Sequence, residues 1–202
     1  VVGFTTTQIA KLTGAQLAAI STASVAALLT EQVAAITSTQ ISELTPSQIA
    51  ALETRHIVVI PSNRFGALTT AQVVAFDTAD MPLLSSAQVA ALGTAQIGAI
   101  ETRDIVALTS AQIALLSTTQ VASLGTAQIV ALGTEDVAGL TTRQVAALTT
   151  TQIIALETGD VAALQTSQLP SLTAAQFAAL ETADIVALTT DQVKVLSTSQ
   201  IP

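Results

Sequence analysis

Few side chains in this sequence could do chemistry beyond packing, and most of those are carboxylates. Acids recur at one place of a repeated motif, often three residues after another acid, as Asp104 follows Glu101. Hard carboxylate oxygens are the ligands that Ca²⁺ prefers. The candidates for a cation-attracting acidic stripe are Asp80, Asp104, Asp136, Asp160 and Asp184. We favour the alternative that these acids begin helices, where they stabilise the N-terminal dipole and complete a cap.

Nucleophilic and metal chemistry lack their usual parts. His56 is the only histidine, and Cys, Tyr and Trp are absent, so triads, thiolate chemistry and zinc motifs cannot be assembled. We interpret His56, with Glu53 and Arg55, as a solvated variant of a repeated surface position. Residues 60–66 are the least regular stretch and the first place to look for an active site, but we interpret them as a decayed repeat. The sequence predicts no enzyme, no catalytic residue and no cofactor.

Charge and hydropathy exclude two classes of partner. The net charge is −8, and the six Lys and Arg residues are scattered. Nucleic-acid binding needs a basic stripe that neutralises several phosphates, so we expect no nucleic-acid partner. Thr and Gln recur too often for any run of about 18 apolar residues, which argues against a transmembrane helix.

The feature that organises the whole chain is an eight-residue repeat. From Phe4 onward it runs through twenty-five octads without insertion or deletion, and residues 68–75, LTTAQVVA, are a typical copy. The positions are apolar, cap-like polar, Thr, variable, Gln or Asp, Val or Ile, small, and Ala. Such repetition predicts an array in which each unit is stabilised by its neighbours. We expect residues 1–202 to form a single elongated array, cut from a longer repeat tract.

The octad predicts a short capped helix. Its first and sixth positions are apolar, a pattern that one continuous α-helix would spread around its circumference, so each octad must contain a break. The second position is the N-cap, and Gln or Asp three residues later gives the spacing of a capping box. Pro46 falls at the first helical position, where proline is favoured. The alternative is a β-solenoid, because Thr, Val and Ile also favour strands.

A slower period is superimposed on the octad. Leaving Arg64 aside, the fifth position departs from Gln in octads 3, 7, 10, 13, 17, 20 and 23, counted from Phe4. These gaps of three and four predict a superhelical α-solenoid with about 3.3 octads per turn. They also predict that the aspartates, with acids at the second position, form one stripe along its outside. The alternative is an 80-residue duplication, which would repeat the same spacing of these octads without implying that they face one direction.

Two resemblances add to this interpretation. Residues 44–52, LTPSQIAAL, resemble the opening helix of the TAL-effector repeat, although the base-reading loop and the basic charge are missing. The tandem octads resemble repeat tracts of large bacterial exoproteins labelled as heme-utilisation or adhesion proteins. This resemblance implies a non-enzymatic spacer, stalk or adhesive segment, extracellular or on the bacterial cell surface. The alternative is a binding module whose outer Thr, Gln and acidic rows contact a peptide, a glycan or an ice surface.

Overall fold

Helical segments that almost all span less than two turns follow one another through the chain. The computed structural model describes residues 3–201, and nearly every octad in them contains one helix, which begins at its third position. The α-helices, in chain order, are α1 Thr6–Ile9, α2 Gly14–Ala18, α3 Thr22–Ala26, α4 Thr30–Ala35, α5 Ser38–Glu43, α6 Pro46–Ala50, α7 Thr54–Ile57, α8 Thr70–Val74, α9 Ser86–Ala90, α10 Thr94–Ala99, α11 Thr102–Ala107, α12 Ser110–Ile113, α13 Thr118–Ala122, α14 Thr126–Val130, α15 Thr134–Gly139, α16 Thr142–Ala147, α17 Thr150–Ala155, α18 Thr158–Ala163, α19 Ala174–Ala178, α20 Thr182–Ala187 and α21 Thr190–Lys194.

Three octads form 3₁₀-helices instead, and proline explains two of them. The segments are Ser62–Ala67, Thr78–Leu83 and Leu169–Ser171. Pro82 and Pro170 stand at the seventh position of their octads, where a residue without an N–H cannot donate the α-helical hydrogen bond. The remaining 3₁₀-helix, Ser62–Ala67, begins within the irregular residues 60–66, and its Phe65 is buried.

The N-cap prediction is confirmed in detail. In α17, the Thr149 hydroxyl accepts a hydrogen bond from the Gln152 N–H, and the Gln152 side chain accepts one from the Thr149 N–H. Pro46 occupies the first turn of α6, as predicted. Leu148 and Thr149, which join α16 to α17, both have extended backbones. Because no described residue has a positive φ, these connections need no glycine, which explains why turn-forming residues are scarce.

The core is built from the first and sixth positions. At the sixth position, side chains from Ile9 to Leu169 are no more than 3% exposed. At the first position, side chains from Leu28 to Leu180 are no more than 9% exposed. The helices are too short to be stable alone in water, so their stability comes from packing these two rows against neighbouring octads.

Two compact units, Val1–Ala107 and Leu108–Pro202, contain this packing. In the first unit, α2 packs against α5 and α8 packs against α10, in each case three octads further along. In the second unit, α13 packs against α16 and α14 against α17 with the same step. Within each unit, helices about three octads apart in the sequence therefore lie side by side.

The chain is all-helical in the part that the structure describes. No strand occurs among residues 3–201, so the alternative of a β-solenoid is wrong. The physical reason is the cap: Gln at the fifth position holds each helix start, and the Ala-rich seventh and eighth positions favour helix.

Candidate functional site

The fifth-position glutamine is the side chain that ties the repeat together. In Gln72, Oε1 accepts a hydrogen bond from the Thr69 N–H at 2.7 Å, which completes the cap of its own helix. Its Nε2 donates to the carbonyl oxygens of Ile41 at 2.7 Å and Leu44 at 2.6 Å. Gln72 is 1% exposed. One amide therefore joins the start of α8 to the end of α5, which lies four octads earlier in the sequence.

The same arrangement recurs in both units. Nε2 donates to the residue 28 positions earlier, and in most copies to the residue 31 positions earlier as well. The carbonyls at the end of a helix have no partner within that helix, and here they are buried, so they need a donor from elsewhere. We call this set the glutamine ladder: Gln40, Gln48, Gln72, Gln88, Gln96, Gln144, Gln152, Gln168, Gln176, Gln192 and Gln200.

His56 stands where most octads have glutamine, and it makes the same two kinds of hydrogen bond. Its Nδ1 accepts from the Glu53 N–H at 3.1 Å, and its Nε2 lies 2.8 Å from the Leu28 carbonyl oxygen, 28 residues earlier. These partners require the neutral tautomer with the proton on Nε2. His56 is 0% exposed, so our interpretation of a solvated surface histidine is wrong. Since both ring nitrogens are hydrogen-bonded, neither has a free lone pair with which to ligate a metal or heme iron.

Arg64, the other basic substitute, also reaches back to an earlier octad. It donates from Nη1 to the carbonyl oxygen of Ala34. Burial lowers the pKa of its guanidinium from the ordinary value. Residues 60–66 thus keep a side-chain bond to an earlier octad, but they lack the cap, since Pro61 at the N-cap has no N–H and no hydroxyl.

The five candidate aspartates do not lie on the outside as predicted. Four of them are only 2–3% exposed, and Asp136 is half-buried; the four are Asp80, Asp104, Asp160 and Asp184. The placement is wrong because, from Gln32 onward, the fifth position points into the fold whichever residue occupies it. An aspartate is shorter than glutamine and has no donor when ionised, so it cannot join the ladder.

These aspartates are held by two kinds of donor. The first is the backbone N–H three residues earlier: Asp184 accepts from Glu181 at 2.9 Å, and Asp160 from Glu157 at 3.1 Å. The second is a threonine hydroxyl three octads earlier. Asp80, Asp104 and Asp184 accept from Thr54, Thr78 and Thr158 at 2.7, 2.5 and 2.8 Å.

Acids at the second position do lie on the surface. Glu53, Asp77, Glu101, Glu157 and Glu181 are exposed. Glu53 pairs with Arg55 at 2.7 Å, and Glu101 pairs with Arg103 at 2.8 Å. Such exposed pairs contribute little to stability.

Electrostatics single out Asp160 among the buried acids. Burial raises the pKa of its carboxyl above the ordinary value, and the nearby charges of Glu157 and Asp136 raise it further. The hydrogen bond from the Glu157 N–H acts in the opposite direction. Residues 3–201 contain no cluster of three or more acids or histidines arranged to hold a metal ion. Cation attraction by the aspartates stays a prediction.

Comparison with known families agrees with the repeat. The model of the ALTTAQ repeat matches residues 9–46, 57–94, 73–100, 97–134, 122–150, 129–156, 153–190 and 177–202, most of the chain. The chain belongs to the ALTTAQ repeat family. The ALTTAQ motif itself covers the first to fifth positions of the octad with the preceding Ala, and it ends on the ladder glutamine. A comparison with curated proteins gives no match. In the described part of this ALTTAQ array, no helix has the length and apolar character needed to cross a bilayer.

The sequence predicted that the glutamine accepts a hydrogen bond at the helix cap, but not that it also donates to an earlier octad. The signal was present: no octad carries Glu at the fifth position, although a capping box accepts Glu as readily as Gln. The preference for Gln over Glu indicates that this position also donates in most copies.

Proposed function

We propose that the chain is a non-enzymatic structural repeat segment, a spacer, stalk or adhesive region of a bacterial secreted or cell-surface protein. The observation that carries this proposal is the use of the fifth position. Every glutamine of the ladder, together with His56 and Arg64, is bonded to backbone of an earlier octad. These fifth-position side chains are therefore occupied in holding the array.

The proposed architecture is a superhelical solenoid of about 3.3 octads per turn. Its support is that helices pack in steps of three octads, while the ladder reaches the end of the helix four octads earlier. A turn of between three and four octads satisfies both relationships. A solenoid of this kind lengthens by adding identical units, which suits a spacer.

The location at the bacterial surface rests on the resemblance to exoprotein repeat tracts. The absence of cysteine is compatible with it, since an array stabilised by octad packing needs no disulfide. Thr118 and Thr142 are exposed at the starts of the packed helices α13 and α16, and rows of this kind are the surface that an adhesive segment would use. The ladder glutamines and the five aspartates are not available for that row, because they point inward.

Small-angle scattering tests the spacer. A compact domain of this length would have a radius of gyration of about 17 Å. The proposal expects a clearly larger value and a distance distribution with a long tail. A value near that of a compact sphere would contradict it.

A glycan array and a cell-binding assay separate the adhesive form from the passive one. Binding that is lost in Thr118→Val with Thr142→Val, which removes hydroxyls and keeps shape, would assign adhesion to the threonine rows. Absence of binding in both the glycan array and the cell-binding assay supports the spacer. Turnover of any substrate offered in a broad hydrolase and transferase screen would overturn the non-enzymatic assignment.

A further inference from the structure

Three octads of the first unit carry large apolar side chains on their solvent side. Among the described residues from 44 to 107, the large apolar side chains that are exposed are Val58, Leu83 and Val106, at 44%, 54% and 64%. They belong to octads 7, 10 and 13, whose helices pack side by side, since Thr78–Leu83 contacts both α7 and α11. The three side chains therefore stand at the ends of adjacent helices instead of being scattered over the surface.

Hydrogen bonds between these octads hold the surface in place. The Thr54 hydroxyl donates to Asp80 at 2.7 Å, and the Thr78 hydroxyl donates to Asp104 at 2.5 Å. Both acceptors are buried. Each bond joins the start of one helix to the start of the helix three octads later. The three helix starts therefore keep a fixed alignment, and the surface is preorganised for a partner.

The two outer octads of this surface present the same exposed groups. Residues 53–58, ETRHIV, and residues 101–106, ETRDIV, differ at a single residue. In each segment the arginine and the valine are three residues apart, so they lie on one face of the helix. The glutamate and arginine of each segment form an exposed ion pair. We call these two segments, with Leu83 between them, the docking face.

Each ion pair is ordered along the direction in which the octads stack. Arg55 reaches towards earlier octads, since its Nη2 lies 3.4 Å from the Ala26 carbonyl oxygen of octad 3. Thr54, at the same helix start, bonds instead to the later octad 10. The nearly identical sequence gives Arg103 the same place in octad 13. Along the docking face, arginine therefore stands on the earlier side of its glutamate in both segments.

A second copy laid on this face in the opposite direction brings unlike charges together. Octad 7 of one copy then faces octad 13 of the other. Because the direction is reversed, Arg55 lies against Glu101 of the second copy, and Glu53 lies against its Arg103. The same two contacts occur a second time, with the roles of the copies exchanged. The face is therefore complementary in charge to itself.

The apolar side chains coincide in the same placement. Val58 meets Val106 of the second copy, and Leu83 of the central octad lies near Leu83 of that copy. Asp77 is the one unfavourable group, because it is exposed in the central octad and approaches its own counterpart. Its Oδ1 accepts from the Ala79 N–H at 3.1 Å, so this carboxylate is directed at its own helix start. Burial of the apolar side chains favours association, and the charges set its direction.

We propose that the docking face binds the docking face of a second copy of this chain in an antiparallel dimer with twofold symmetry. The contact is isologous, because one surface serves both copies. Both docking faces are used in the dimer, so the assembly stops at two chains.

Sedimentation velocity on the intact chain over a wide range of concentration is the first test. The mean mass should rise with concentration to twice that of one 20.4 kDa chain and no further. Val58→Asp with Val106→Asp charges the apolar part of the face and should leave a monomer. Val130→Asp with Val186→Asp is the matched control, since these residues have the same place in octads of the second unit and are 49% and 79% exposed. That control should dimerise like the wild type.

Exchanging the charges of one octad tests the pairing itself. Glu101→Arg with Arg103→Glu keeps the composition of the chain but places like charges opposite octad 7 of the second copy, so this variant should be monomeric. Glu53→Arg with Arg55→Glu makes the same exchange in octad 7 and should also be monomeric. Circular dichroism checks that both variants keep the helical content of the wild type.

An ion pair elsewhere on the surface provides the control for these exchanges. Lys194 and Asp191 form an exposed pair at 2.9 Å in the second unit. Asp191→Lys with Lys194→Asp reverses this pair and should dimerise like the wild type.

Mixing the two exchanged variants decides the matter. Each variant supplies the octad that the other needs, so every contact between them again joins unlike charges, and an equal mixture should form a dimer of one chain each. Misfolding of either variant cannot produce this recovery. A wild type that stays monomeric, a Val58→Asp, Val106→Asp variant that still dimerises, or a mixture that stays monomeric would overturn the proposal.

Asp77 tests where the twofold axis lies. Asp77→Asn keeps an acceptor for the Ala79 N–H but removes the like charges that meet at the centre, so it should strengthen dimerisation. Unchanged or weaker association would contradict an axis through octad 10. The scattering test of the spacer is made at the lowest concentrations, where the chain is monomeric, so the two proposals can fail separately.

Discussion

The Nε2 of Gln152 lies 2.8 Å from the carbonyl oxygen of Leu124, a residue 28 positions earlier. The same Nε2 donates to Val121 at 2.9 Å, while Oε1 accepts from the Thr149 N–H at 2.8 Å. A single buried amide therefore caps the start of one helix and satisfies the end of another. Because both functions depend on one side chain, the start of α17 and the end of α13 are stabilised together.

Replacing this donor by an acceptor should be costly. Gln152→Glu keeps the length of the side chain and the cap, but it removes the donor to the Leu124 carbonyl and one of the donors to the Val121 carbonyl, and it places a carboxylate against both oxygens. We expect a loss of about 3 kcal/mol in the free energy of unfolding at neutral pH. The measurement is urea unfolding followed by circular dichroism.

Gln16→Glu is the matched control for that change. Gln16 has the same cap, its Nε2 donates to no carbonyl among residues 3–201, and it is exposed. Its replacement should cost well under 1 kcal/mol, since Glu serves a capping box as well as Gln does. Equal losses in the two variants would mean that the bonds to the earlier helix contribute nothing.

Much of the local structure follows from the octad alone. The N-cap at the second position, the helix start at the third and the buried first and sixth positions were all predicted from residue types, because capping chemistry and apolar spacing are local. Pro46 illustrates this, since proline at the first helical position satisfies its restrictions within its own octad. The helical class also followed, against the alternative of strands.

The orientation of the fifth position could not be obtained in the same way. Asp104 has a perfect local explanation as a helix-start acid, and nothing within its octad reveals that Thr78 donates to it from three octads earlier. The three-octad step was visible in the sequence as a period, but a period does not say which side faces inward. The direction depends on packing between octads. At one helix start, Glu101 is exposed whereas Asp104 is buried.

Glycine caps should be improvable. Gly125 is the N-cap of α14 with an extended backbone, and an added Cβ would meet only the Gln128 side chain, at 3.7 Å. Gly125→Ser supplies a hydroxyl for the helix start and reduces the freedom of the unfolded chain, so we expect about 0.5 kcal/mol of added stability. Gly125→Ala supplies no acceptor, and alanine is a poorer N-cap than glycine, so this variant should be less stable than the serine variant and no more stable than the wild type in thermal unfolding. A serine variant no more stable than alanine would refute the capping contribution.

His56 should be replaceable by the residue it stands in for. Gln at this position can accept from the Glu53 N–H and donate to the Leu28 carbonyl, as the imidazole does. We expect His56→Gln to change the free energy of unfolding by less than about 1 kcal/mol, whereas His56→Ala should cost about 3 kcal/mol through a cavity and two lost bonds. Both are measured by urea unfolding at neutral pH. If the Gln variant were as damaged as the Ala variant, His56 would have a role outside the ladder.

Asp160 should make the chain less stable as pH rises. Burial, reinforced by the charges of Glu157 and Asp136, raises the pKa of its carboxyl in the folded chain above the unfolded value. Between the two pKa values the folded chain holds more protons than the unfolded chain, so the contribution of Asp160 to stability falls as pH increases through that window, from about pH 4 upward.

Asp160→Asn keeps an acceptor for the Glu157 N–H and does not titrate. The melting temperature of this variant minus that of the wild type should therefore become more positive with rising pH and then level off. Glu135→Gln removes an exposed carboxylate from the nearby helix α15 and should give a difference that hardly changes with pH. A difference for Asp160→Asn that is flat, or that falls as pH rises, would show that the folded chain accommodates the ionised carboxylate without cost.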